Sequence, residues 1–469
     1  MSITAGPGPD DHLRRTVAVG AGPALLALDC AGLLLLWPIT MFIVAPAMPT
    51  SQEATALLLY PAIALLAFYA LGLYRREAGA SLRRALGRVP LAATAGALVG
   101  SGVMLFLAPE AVRLGVAAGG CVLTGAAAAR VTFDVLRRRG VVCRRLLVLG
   151  AGQRAWDLVW LLRTEGRTLG YRITFLQDPA LGAIDPRILD ESLGEIVTMG
   201  PGGIREVADR IQPDEIVVAP DERRGMDLHG LLDCKIAGFP VSEYLGFIER
   251  EVRRVDIKRI ELSWLLYSDG FHMSVLDRIG KRMIDLVASI GGLILVGPFL
   301  LAAMLAIRIE DGGPALYRQT RVTLGGRLFR ILKLRTMRVD AERGGAVWAA
   351  TRDNRITKLG AFMRRSRLDE LPQLVNVLRG DMSFVGPRPE RPEFVAILAS
   401  SLPLYNERHA AKAGLTGWAQ INYPYGASID DARSKLSYDL YYVKNFSVLF
   451  DILIILQTIR VVLWPSGAR

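Results

Sequence analysis

Cysteine and histidine are scarce in this 469-residue sequence, which contains only four of each. Cys30, Cys121, Cys143 and Cys234 follow no metal-binding spacing, so inert, reduced thiols are expected. The histidines are equally scattered, and no zinc or iron site is predicted. The sequence also lacks a repeated basic and aromatic unit despite its seven Trp and 13 Tyr, which argues against a nucleic-acid partner.

Acidic residues are in the minority, with 45 Asp and Glu against 57 Lys and Arg and a net charge of +12. Apolar residues make up 51% of the chain, and the mean hydropathy is +0.31. This composition excludes a disordered or disulfide-framework protein, and the length allows about three folding units. High apolar content together with positive charge predicts a membrane protein with a basic cytoplasmic face.

Apolar segments predict a transmembrane domain of four helices over residues 1–140. The segments are residues 16–45, 54–73, 89–108 and 114–129. About 20 residues cross the roughly 30 Å of bilayer hydrocarbon, so the first three are long enough. The fourth is flanked by Arg113 and Arg130, whose side chains would have to snorkel unless the bilayer thins. A buried helical bundle in a soluble protein is the alternative.

The connections between these segments differ in their basic residues. Arginines are concentrated before the first segment, between the second and third, and after the fourth: Arg14, Arg15, Arg75, Arg76, Arg83, Arg84, Arg88, Arg137, Arg138, Arg139, Arg144 and Arg145. The other two connections contain only Arg113. Because cytoplasmic loops carry the positive excess, both ends of the domain and everything after Arg139 are predicted to be cytoplasmic.

A Rossmann-like α/β domain is predicted over residues 141–268. The run Arg145-Leu-Leu-Val-Leu-Gly150-Ala-Gly152-Gln-Arg-Ala155 indicates a strand, a glycine turn and a helix start, and further strands are expected at residues 171–176 and 215–219. Gly150 and Gly152 are therefore candidate nucleotide-binding residues. A tight turn that needs glycine for backbone reasons is the alternative.

A third domain is predicted over residues 269–469. Residues 283–307 are nearly all apolar, contain Gly297-Pro298 and have basic residues on both sides. Because proline bends or breaks a helix, we predict a re-entrant helix-break-helix hairpin in the cytoplasmic leaflet, with a kinked full span as the alternative. Residues 446–464 are apolar but contain interrupting polar residues, which favours an interfacial amphipathic helix. These interruptions are Asp451, Gln457 and Arg460.

Basic residues dominate the stretch from Lys333 to Glu370. Lys333 and Arg335 are two residues apart and would share one face of a strand, and Arg364 lies farther along. Such a positive field suits a substrate with several phosphates. A surface that binds anionic lipids is the alternative.

Two adjacent carboxylates lie in this basic stretch, in Asp369-Glu370-Leu-Pro372-Gln373. Pro372 suits a first helical turn, which would place both carboxylates at a helix N-terminus, where negative charge is favoured. Asp369 would then remain ionised and could attack phosphorus. The pair could also bind Mg²⁺. A capping pair on a surface helix is the alternative.

Two downstream features add candidate substrate-binding residues. Arg388 lies between Pro387 and Pro389, which fix the backbone and would hold the arginine ready to bind a phosphate. A rigid turn with a solvated arginine is the alternative. Gln420 ends the run Gly414-Leu-Thr416-Gly417-Trp418-Ala-Gln420 and is a candidate substrate-binding amide, with core packing as the alternative.

Taken in order, these motifs resemble those of the bacterial sugar transferases. These are monotopic phosphoglycosyl transferases that start exopolysaccharide, O-antigen or capsule repeat units. The motifs are Lys333-Leu-Arg-Thr-Met337, Arg367-Leu-Asp-Glu-Leu-Pro-Gln373, Arg379-Gly-Asp-Met-Ser-Phe-Val-Gly-Pro-Arg-Pro-Glu390, Gly414-Leu-Thr-Gly-Trp-Ala-Gln420 and Tyr438-Asp-Leu-Tyr-Tyr-Val-Lys-Asn445. With the predicted membrane helices and Rossmann-like domain, the chain is similar to the large polyprenyl-phosphate hexose-1-phosphate transferases. The implied fold class is membrane α plus α/β, with a monotopic catalytic domain.

The resemblance implies transfer of a hexose-1-phosphate from a UDP-sugar to polyprenyl phosphate, with release of UMP, at the bacterial cytoplasmic membrane. Asp369 would attack the sugar-linked phosphorus and form a phosphosugar intermediate, and Glu370 would bind Mg²⁺ or act as a base. Gly297-Pro298 would be the re-entrant break. The phosphate-binding residues would be Lys333, Arg335, Arg364 and Arg388.

Two departures from the family pattern leave the sugar open. Ala413 stands where a proline is usual, and residues 421–428 replace a glycine-rich continuation. The expected partners are a UDP-sugar, polyprenyl phosphate, the membrane and a second copy of the chain, with Mg²⁺ as cofactor. Alternatives from other classes are a membrane-bound nucleotide-sensing scaffold that uses Gly150 and Gly152, and an NAD-dependent sugar-nucleotide oxidoreductase.

Overall fold

The structure is a computed structural model. It describes residues 21–44, 51–74, 82–107, 109–139, 142–164, 170–190, 192–260, 270–271, 273–338, 355–423, 426 and 428–463. The chain divides into two compact units, Met1–Val252 and Arg253–Arg469. Each unit has its own apolar clusters.

Long apolar helices begin the first unit: α1 (Ala21–Val44), α2 (Ser51–Ala70), α3 (Leu82–Leu107) and α4 (Gly115–Arg138). Their sequences are rich in Ala and Leu, the strongest helix formers. Helix α1 packs against α4, and α3 packs against both α2 and α4. Helices α1, α3 and α4 are long and apolar enough to cross a membrane, whereas the apolar stretch described for α2, Leu58–Ala70, is shorter. The predicted membrane character of this region is confirmed.

Arg130 lies inside α4 and does not end it. The helix continues to Arg138, beyond the apolar segment at residues 114–129 that the sequence marks. Arg130 is buried in an ion pair with Asp29 of α1, and a charge neutralised in this way is compatible with a spanning helix. The same two helices approach closely at Gly32, where an added Cβ would lie 3.6 Å from the Gly125 carbonyl oxygen.

A five-stranded parallel sheet completes the first unit. Its elements in chain order are β1 (Arg144–Leu149), α5 (Gln153–Thr164), β2 (Tyr171–Gln177), β3 (Glu195–Thr198), α6 (Gly203–Ile211), β4 (Glu215–Val218), α7 (Leu228–Ile236), β5 (Val241–Glu243) and α8 (Tyr244–Val252). The strand order is β3-β2-β1-β4-β5, and Val148 of β1 is paired with both Phe175 and Val217. This is the order of doubly wound α/β sheets. The predicted parallel α/β architecture is confirmed.

The second unit combines one long helix, a β-hairpin and shorter elements. In chain order they are α9 (Val275–Asp311), β6 (Leu316–Val322), β7 (Leu328–Leu334), α10 (Lys358–Ser366), α11 (Gln373–Arg379), β8 (Ser383–Val385), α12 (Pro392–Ser401), β9 (Gly414–Thr416), α13 (Trp418–Asn422), α14 (Ile429–Lys444) and α15 (Val448–Leu463). Strands β6 and β7 are antiparallel, and β8 and β9 are parallel.

Helix α9 runs through Gly297 and Pro298 without a non-helical residue. A capping box of Ser274 and Asp277 starts it, and Gly312 ends it with a φ of 72°. The structure therefore differs from the predicted pair of helices separated by a break. Proline removes one backbone donor, and the hydrogen bonds of the neighbouring turns continue the helix past it. At 37 residues, α9 is long and apolar enough to cross a membrane.

The polar residues of α15 face the protein. Asp451 is 1% exposed and Gln457 is also buried, whereas Leu449 is 65% exposed. The interfacial amphipathic helix that the sequence predicts would ordinarily turn its polar residues toward water. In the structure, Asp451 and Gln457 face the protein instead, and Asp451 is held there by Lys281 of α9. The outer face of α15 is therefore apolar.

Candidate active site

A buried asparagine fixes β7 beside α11. Asn376 of α11 donates from Nδ2 to the Arg330 carbonyl (2.9 Å) and accepts at Oδ1 from the Leu332 amide (2.9 Å). Both contacts provide hydrogen-bond partners for backbone groups of β7 that have no neighbouring strand on this side among the described residues. They place Lys333, the next residue of β7, beside the turn that precedes α11, where its Nζ lies 3.5 Å from Glu370 Oε1.

That turn, Leu368–Glu370, carries the two adjacent carboxylates. Arg367 precedes it with a φ of 56° and terminates α10. Leu368 and Leu371 pack against the apolar cluster that includes Leu334 and Met363, so residues on both sides of the acidic pair hold the turn in place. Pro372 lies immediately before α11, so the carboxylates occupy a 3₁₀ turn and not the first turn of a helix as predicted.

Glu370 has cationic partners on both carboxylate oxygens. Arg388 Nη2 lies 2.7 Å and Lys333 Nζ 3.5 Å from Oε1, and Arg367 Nη1 lies 3.4 Å from Oε2. Burial alone would raise the pKa of Glu370, but these three cations hold that pKa well below its usual range. Glu370 is therefore ionised across the physiological pH range, and its negative charge is neutralised by these cationic side chains of the protein.

Asp369 has a different environment. Within the described stretches, its carboxylate makes no hydrogen bond and has no cation within 4.0 Å. Burial and the neighbouring charge of Glu370 raise its pKa, and the more distant Lys333, Arg364 and Arg388 offset part of that effect. The result is a partly buried carboxylate that is more basic than usual and has no partner among the described residues to displace before it reacts.

Basic side chains surround the pair, as predicted for Lys333, Arg364 and Arg388. Arg364 is oriented by its Nε, which donates to Thr336 Oγ1 (2.9 Å). Burial and the nearby Arg388 lower the pKa of Lys333, although Glu370 opposes that change. With Arg367, these side chains provide four cations against two carboxylates, which leaves positive charge available for an anionic ligand.

Pro387 and Pro389 are fixed through their carbonyl groups. The Pro387 oxygen accepts from the Gly414 amide (2.8 Å), and the Pro389 oxygen accepts from Arg321 Nη1 (3.2 Å). The two prolines therefore contribute rigid backbone on either side of Arg388.

The structure places Arg335 and Gln420 apart from these contacts. Arg335 follows β7, its amide donates to the Ala315 carbonyl (2.9 Å), and its guanidinium lies against Gly313. Gln420 lies on α13, where its Nε2 is buried and has no hydrogen-bond partner among the described residues. Their predicted roles in substrate binding stay predictions.

Arg321 is a site residue that sequence reasoning missed. It lies on β6, donates from Nη2 to Gln319 (2.5 Å), and its charge acts on Lys333. Its burial lowers the pKa of its guanidinium, and the nearby Arg388 adds to that effect. The alternation of Gln319 and Arg321 along one face of β6 was the available signal.

In the first unit, an aspartate occupies the anion position beside the predicted glycine motif. Gly150 has a φ of 104°, and an added Cβ there would lie 2.9 Å from the Ala219 carbonyl oxygen, so the turn itself requires glycine. The Asp221 carboxylate accepts from the amides of Gln153 (2.6 Å) and Arg154 (2.8 Å) at the start of α5. A Cβ on Gly152 would lie 2.0 Å from Asp221 Oδ2. A phosphate could bind these amides only after Asp221 moves away.

The acidic pair offers carboxylate oxygens that could hold Mg²⁺. Mg²⁺ prefers carboxylate oxygens and is often held by one or two of them together with substrate phosphates. No group of three or more Asp, Glu, His or Cys suited to a metal occurs within the described ranges. Because Glu370 is paired with Arg388, the pair fits Mg²⁺ only when a substrate adds further oxygens.

Comparisons with known proteins show what this chain is similar to. Residues 276–465 match the family model described as bacterial sugar transferase. The chain is 40% identical over 239 residues to a UDP-N-acetylgalactosamine-undecaprenyl-phosphate N-acetylgalactosaminephosphotransferase of Aeromonas hydrophila, covering 51% of this chain but only 56% of that relative. It is 42% identical over 190 residues to a UDP-glucose:undecaprenyl-phosphate glucose-1-phosphate transferase of Caulobacter vibrioides, covering 40% of this chain and 71% of the relative.

A third relative is covered almost completely. The exopolysaccharide production protein PSS of Rhizobium leguminosarum is 39% identical over 190 residues, which are 39% of this chain and 95% of that protein. The family match, residues 276–465, lies within the second unit and includes the acidic pair. The chain belongs to the bacterial sugar transferase family.

Proposed function

We propose that this protein transfers a sugar-1-phosphate from a UDP-sugar to polyprenyl phosphate and releases UMP. The observation that carries the proposal is the asymmetry of the acidic pair: Glu370 is neutralised by Arg388 and Lys333, while the more basic Asp369 is unpaired among the described residues. The names of the relatives supply the substrate classes, a UDP-sugar and undecaprenyl phosphate. This transfer would be the first membrane step of exopolysaccharide, O-antigen or capsule synthesis.

The proposed reaction has two displacements at one phosphorus atom. A carboxylate oxygen of Asp369 forms a bond to the sugar-linked phosphorus, and the bond from that phosphorus to the bridging oxygen breaks, so the electron pair leaves with UMP. A phosphate oxygen of the lipid then attacks the same phosphorus and releases the Asp369 carboxylate. The product is a polyprenyl-diphospho-sugar.

The basic residues stabilise the charge that develops on the departing phosphate. Arg388 and Lys333 are already oriented by Glu370, so little reorganisation is needed when the diphosphate binds. The charge of Arg364 acts on Asp369, and the charge of Arg321 acts on Lys333. Mg²⁺ is the proposed cofactor, held by Glu370 or Asp369 together with the donor phosphates, and when bound it would neutralise the diphosphate.

We also propose that α9 is re-entrant. Near its start, Lys281 contacts Val385 and Asp451, and beyond Pro298 its residue Ile307 belongs to the same apolar cluster as Leu334. Contacts of both flanks with one compact unit support ends on the same side of the bilayer. That side would be the cytoplasm, where UDP-sugars are found. The homodimer stays a prediction.

The test of the proposed function is UMP release by the detergent-solubilised full chain. The assay contains Mg²⁺, a polyprenyl phosphate and, in turn, UDP-glucose, UDP-galactose and the two N-acetylated UDP-hexosamines. At least one donor should yield UMP, and Asp369→Asn should reduce the rate by about 10³-fold or more because the nucleophile is lost. Asp430→Asn, at an exposed position, is the matched control and should retain activity.

Two results would contradict the proposal. If no donor yielded UMP, the proposed transfer reaction would be wrong. A nucleotide-sensing scaffold and an NAD-dependent oxidoreductase would then be the remaining alternatives. Full activity of Asp369→Asn would show that another group attacks phosphorus. Retention of ³²P on the wild-type protein after incubation with β-³²P-labelled donor, and its absence from Asp369→Asn, would report the covalent intermediate directly.

A further inference from the structure

The backbone around Arg388 is held at successive carbonyl groups. Residues 385–390 are called here the Arg388 segment. Besides the contacts of Pro387 and Pro389 described above, the Glu390 carbonyl accepts from the Val322 amide (3.0 Å). The carbonyls of Val385 and Arg388 accept from two buried cations, each of which belongs to an ion pair.

The first cation is Lys281 of α9. Its Nζ donates to the Val385 carbonyl (3.0 Å) and to Asp451 Oδ2 of α15 (2.7 Å). Tyr442 OH donates to the other oxygen of Asp451 (2.8 Å). Lys281 is 7% exposed and Asp451 is 1% exposed, so water cannot replace these contacts.

The second cation is Arg408. Its Nη2 donates to the Arg388 carbonyl (3.0 Å) and to Asp439 Oδ2 of α14 (2.7 Å), and its Nε donates to the same carboxylate oxygen (3.0 Å). Its Nη1 donates to Tyr405 OH (2.9 Å). The fork of the guanidinium therefore bridges a helix and the Arg388 segment, a geometry that an ammonium group cannot reproduce.

Buried ion pairs of this kind contribute little net stability, because desolvation opposes the attraction of the charges. In both ion pairs, the cation also donates one hydrogen bond to a carbonyl of the Arg388 segment. Pro387 and Pro389 fix two φ angles, and the bound carbonyls restrict the remaining rotations. The backbone of the segment therefore has few accessible conformations, and Arg388 Nη2 is held 2.7 Å from Glu370 Oε1.

We propose that Lys281 and Arg408, with their partners Asp451 and Asp439, are positioning residues that hold Arg388 ready for the donor diphosphate. The inference rests on the proposed function, in which Arg388 binds that diphosphate. Neither Lys281 nor Arg408 needs to touch the substrate. Their effect on catalysis should pass entirely through Arg388, since a donor that is fixed in advance stabilises developing charge without reorganisation.

The test is a double-mutant cycle between positions 408 and 388 in the full chain. Arg408→Lys keeps the positive charge beside Asp439 but is too short and unbranched to bind the Arg388 carbonyl as well. We expect kcat/KM for UMP release to fall about 10-fold to 100-fold, as for a misplaced catalytic group. In an Arg388→Ala background the same change should lower kcat/KM by less than about two-fold. Arg433→Lys, in an exposed ion pair on α14, is the matched control and should change neither value.

A second cycle measures the affinity for UDP by calorimetry and needs no turnover. Arg408→Lys should weaken UDP binding in the wild-type background and leave it unchanged in Arg388→Ala. If Arg408→Lys does not fold, Tyr405→Phe, which removes one contact of Arg408, takes its place in both cycles. Equal losses in the two backgrounds, or no loss at all, would overturn the positioning role.

The two proposals can fail separately. A wild-type protein that binds UDP but releases no UMP would refute the proposed function, and the UDP cycle would still decide the positioning role. A wild-type protein that does not bind UDP would refute both. Active wild type with additive effects would refute the positioning role alone.

Discussion

Neighbouring carboxylates titrate differently when only one of them has cationic partners. The sequence predicts that Asp369 and Glu370 lie in a basic field, because the acids and the Lys and Arg residues are close along the chain. It does not predict which carboxylate is neutralised, because Arg388 comes from a separate segment 18 residues farther along the chain and its Nη2 lies 2.7 Å from Glu370 Oε1. Burial and that neighbouring charge then separate the pKa values of the two groups.

The pH dependence of activity should follow Asp369. Its pKa is raised, and the nucleophile must be ionised, so kcat/KM should rise with pH through the raised pKa and fall below it. In Glu370→Gln a repelling charge is lost, and Arg388 and Lys333 lose their nearest carboxylate. Both changes lower the pKa of Asp369, so the acid limb should move to lower pH while the plateau falls.

The measurement is a pH profile of kcat/KM for UMP release. Glu393→Gln, the same chemical change at an exposed position on α12, should leave the acid limb where it is in the wild type. Disappearance of the acid limb in Glu370→Gln would mean that Glu370 itself carries the titration. That result would contradict the assigned charge states of the pair.

At the scale of elements, two differences between the sequence predictions and the structure share one cause. Arg130 flanks the predicted fourth apolar segment, and Asp451 is one of the interruptions that predict an interfacial helix, because a charge in an apolar run normally marks exposure. Both side chains are buried against a partner on another helix: Asp29 for Arg130, and Lys281 for Asp451. A partner that is more than a hundred residues away cannot be read from local periodicity. The strands expected at residues 171–176 and 215–219, which depend on local pattern, agree with β2 and β4 to within one residue.

The Asp29 and Arg130 pair allows a direct test of that explanation. Asp29→Leu leaves Arg130 without its carboxylate inside the bundle and should destabilise the protein by about 3 kcal/mol or more. The double variant Asp29→Leu with Arg130→Met removes both charges and should regain most of the loss. Thermal unfolding in detergent measures both, and Arg138→Met, at the exposed end of α4, is the control. A double variant less stable than either single variant would show that the pair is held by more than charge.

At the scale of the molecule, the proposed chemistry requires a water-soluble donor and a lipid acceptor to meet at one carboxylate. Helices α1, α3, α4 and α9 are long and apolar enough for a bilayer, and α15 has an apolar outer face. In the second unit, α9 packs against α11, β8 and α15. An active site next to such elements can receive a lipid phosphate without removing the lipid from the membrane.

The topology of α9 is the last prediction. If α9 is re-entrant, the β6–β7 hairpin that follows it lies in the cytoplasm, whereas a full span would place the hairpin outside. Single cysteines are introduced at the exposed positions Arg318→Cys and Arg330→Cys in a variant whose four natural cysteines are replaced. Intact cells are then treated with a membrane-impermeant maleimide. Neither hairpin cysteine should react until the membrane is permeabilised, because the bilayer separates it from the reagent.

Two reference positions define the sides of the membrane in the same variant. Pro109→Cys, in the exposed connection between α3 and α4, should react in intact cells, and Glu206→Cys, on α6 of the parallel sheet unit, should react only after permeabilisation. The hairpin should behave like residue 206. Labelling of the hairpin in intact cells, together with protection of residue 206, would show that α9 crosses the bilayer. The proposed active site would then lie on the side of the membrane opposite to the UDP-sugar pool, and the proposed transfer reaction in the cytoplasm would be excluded.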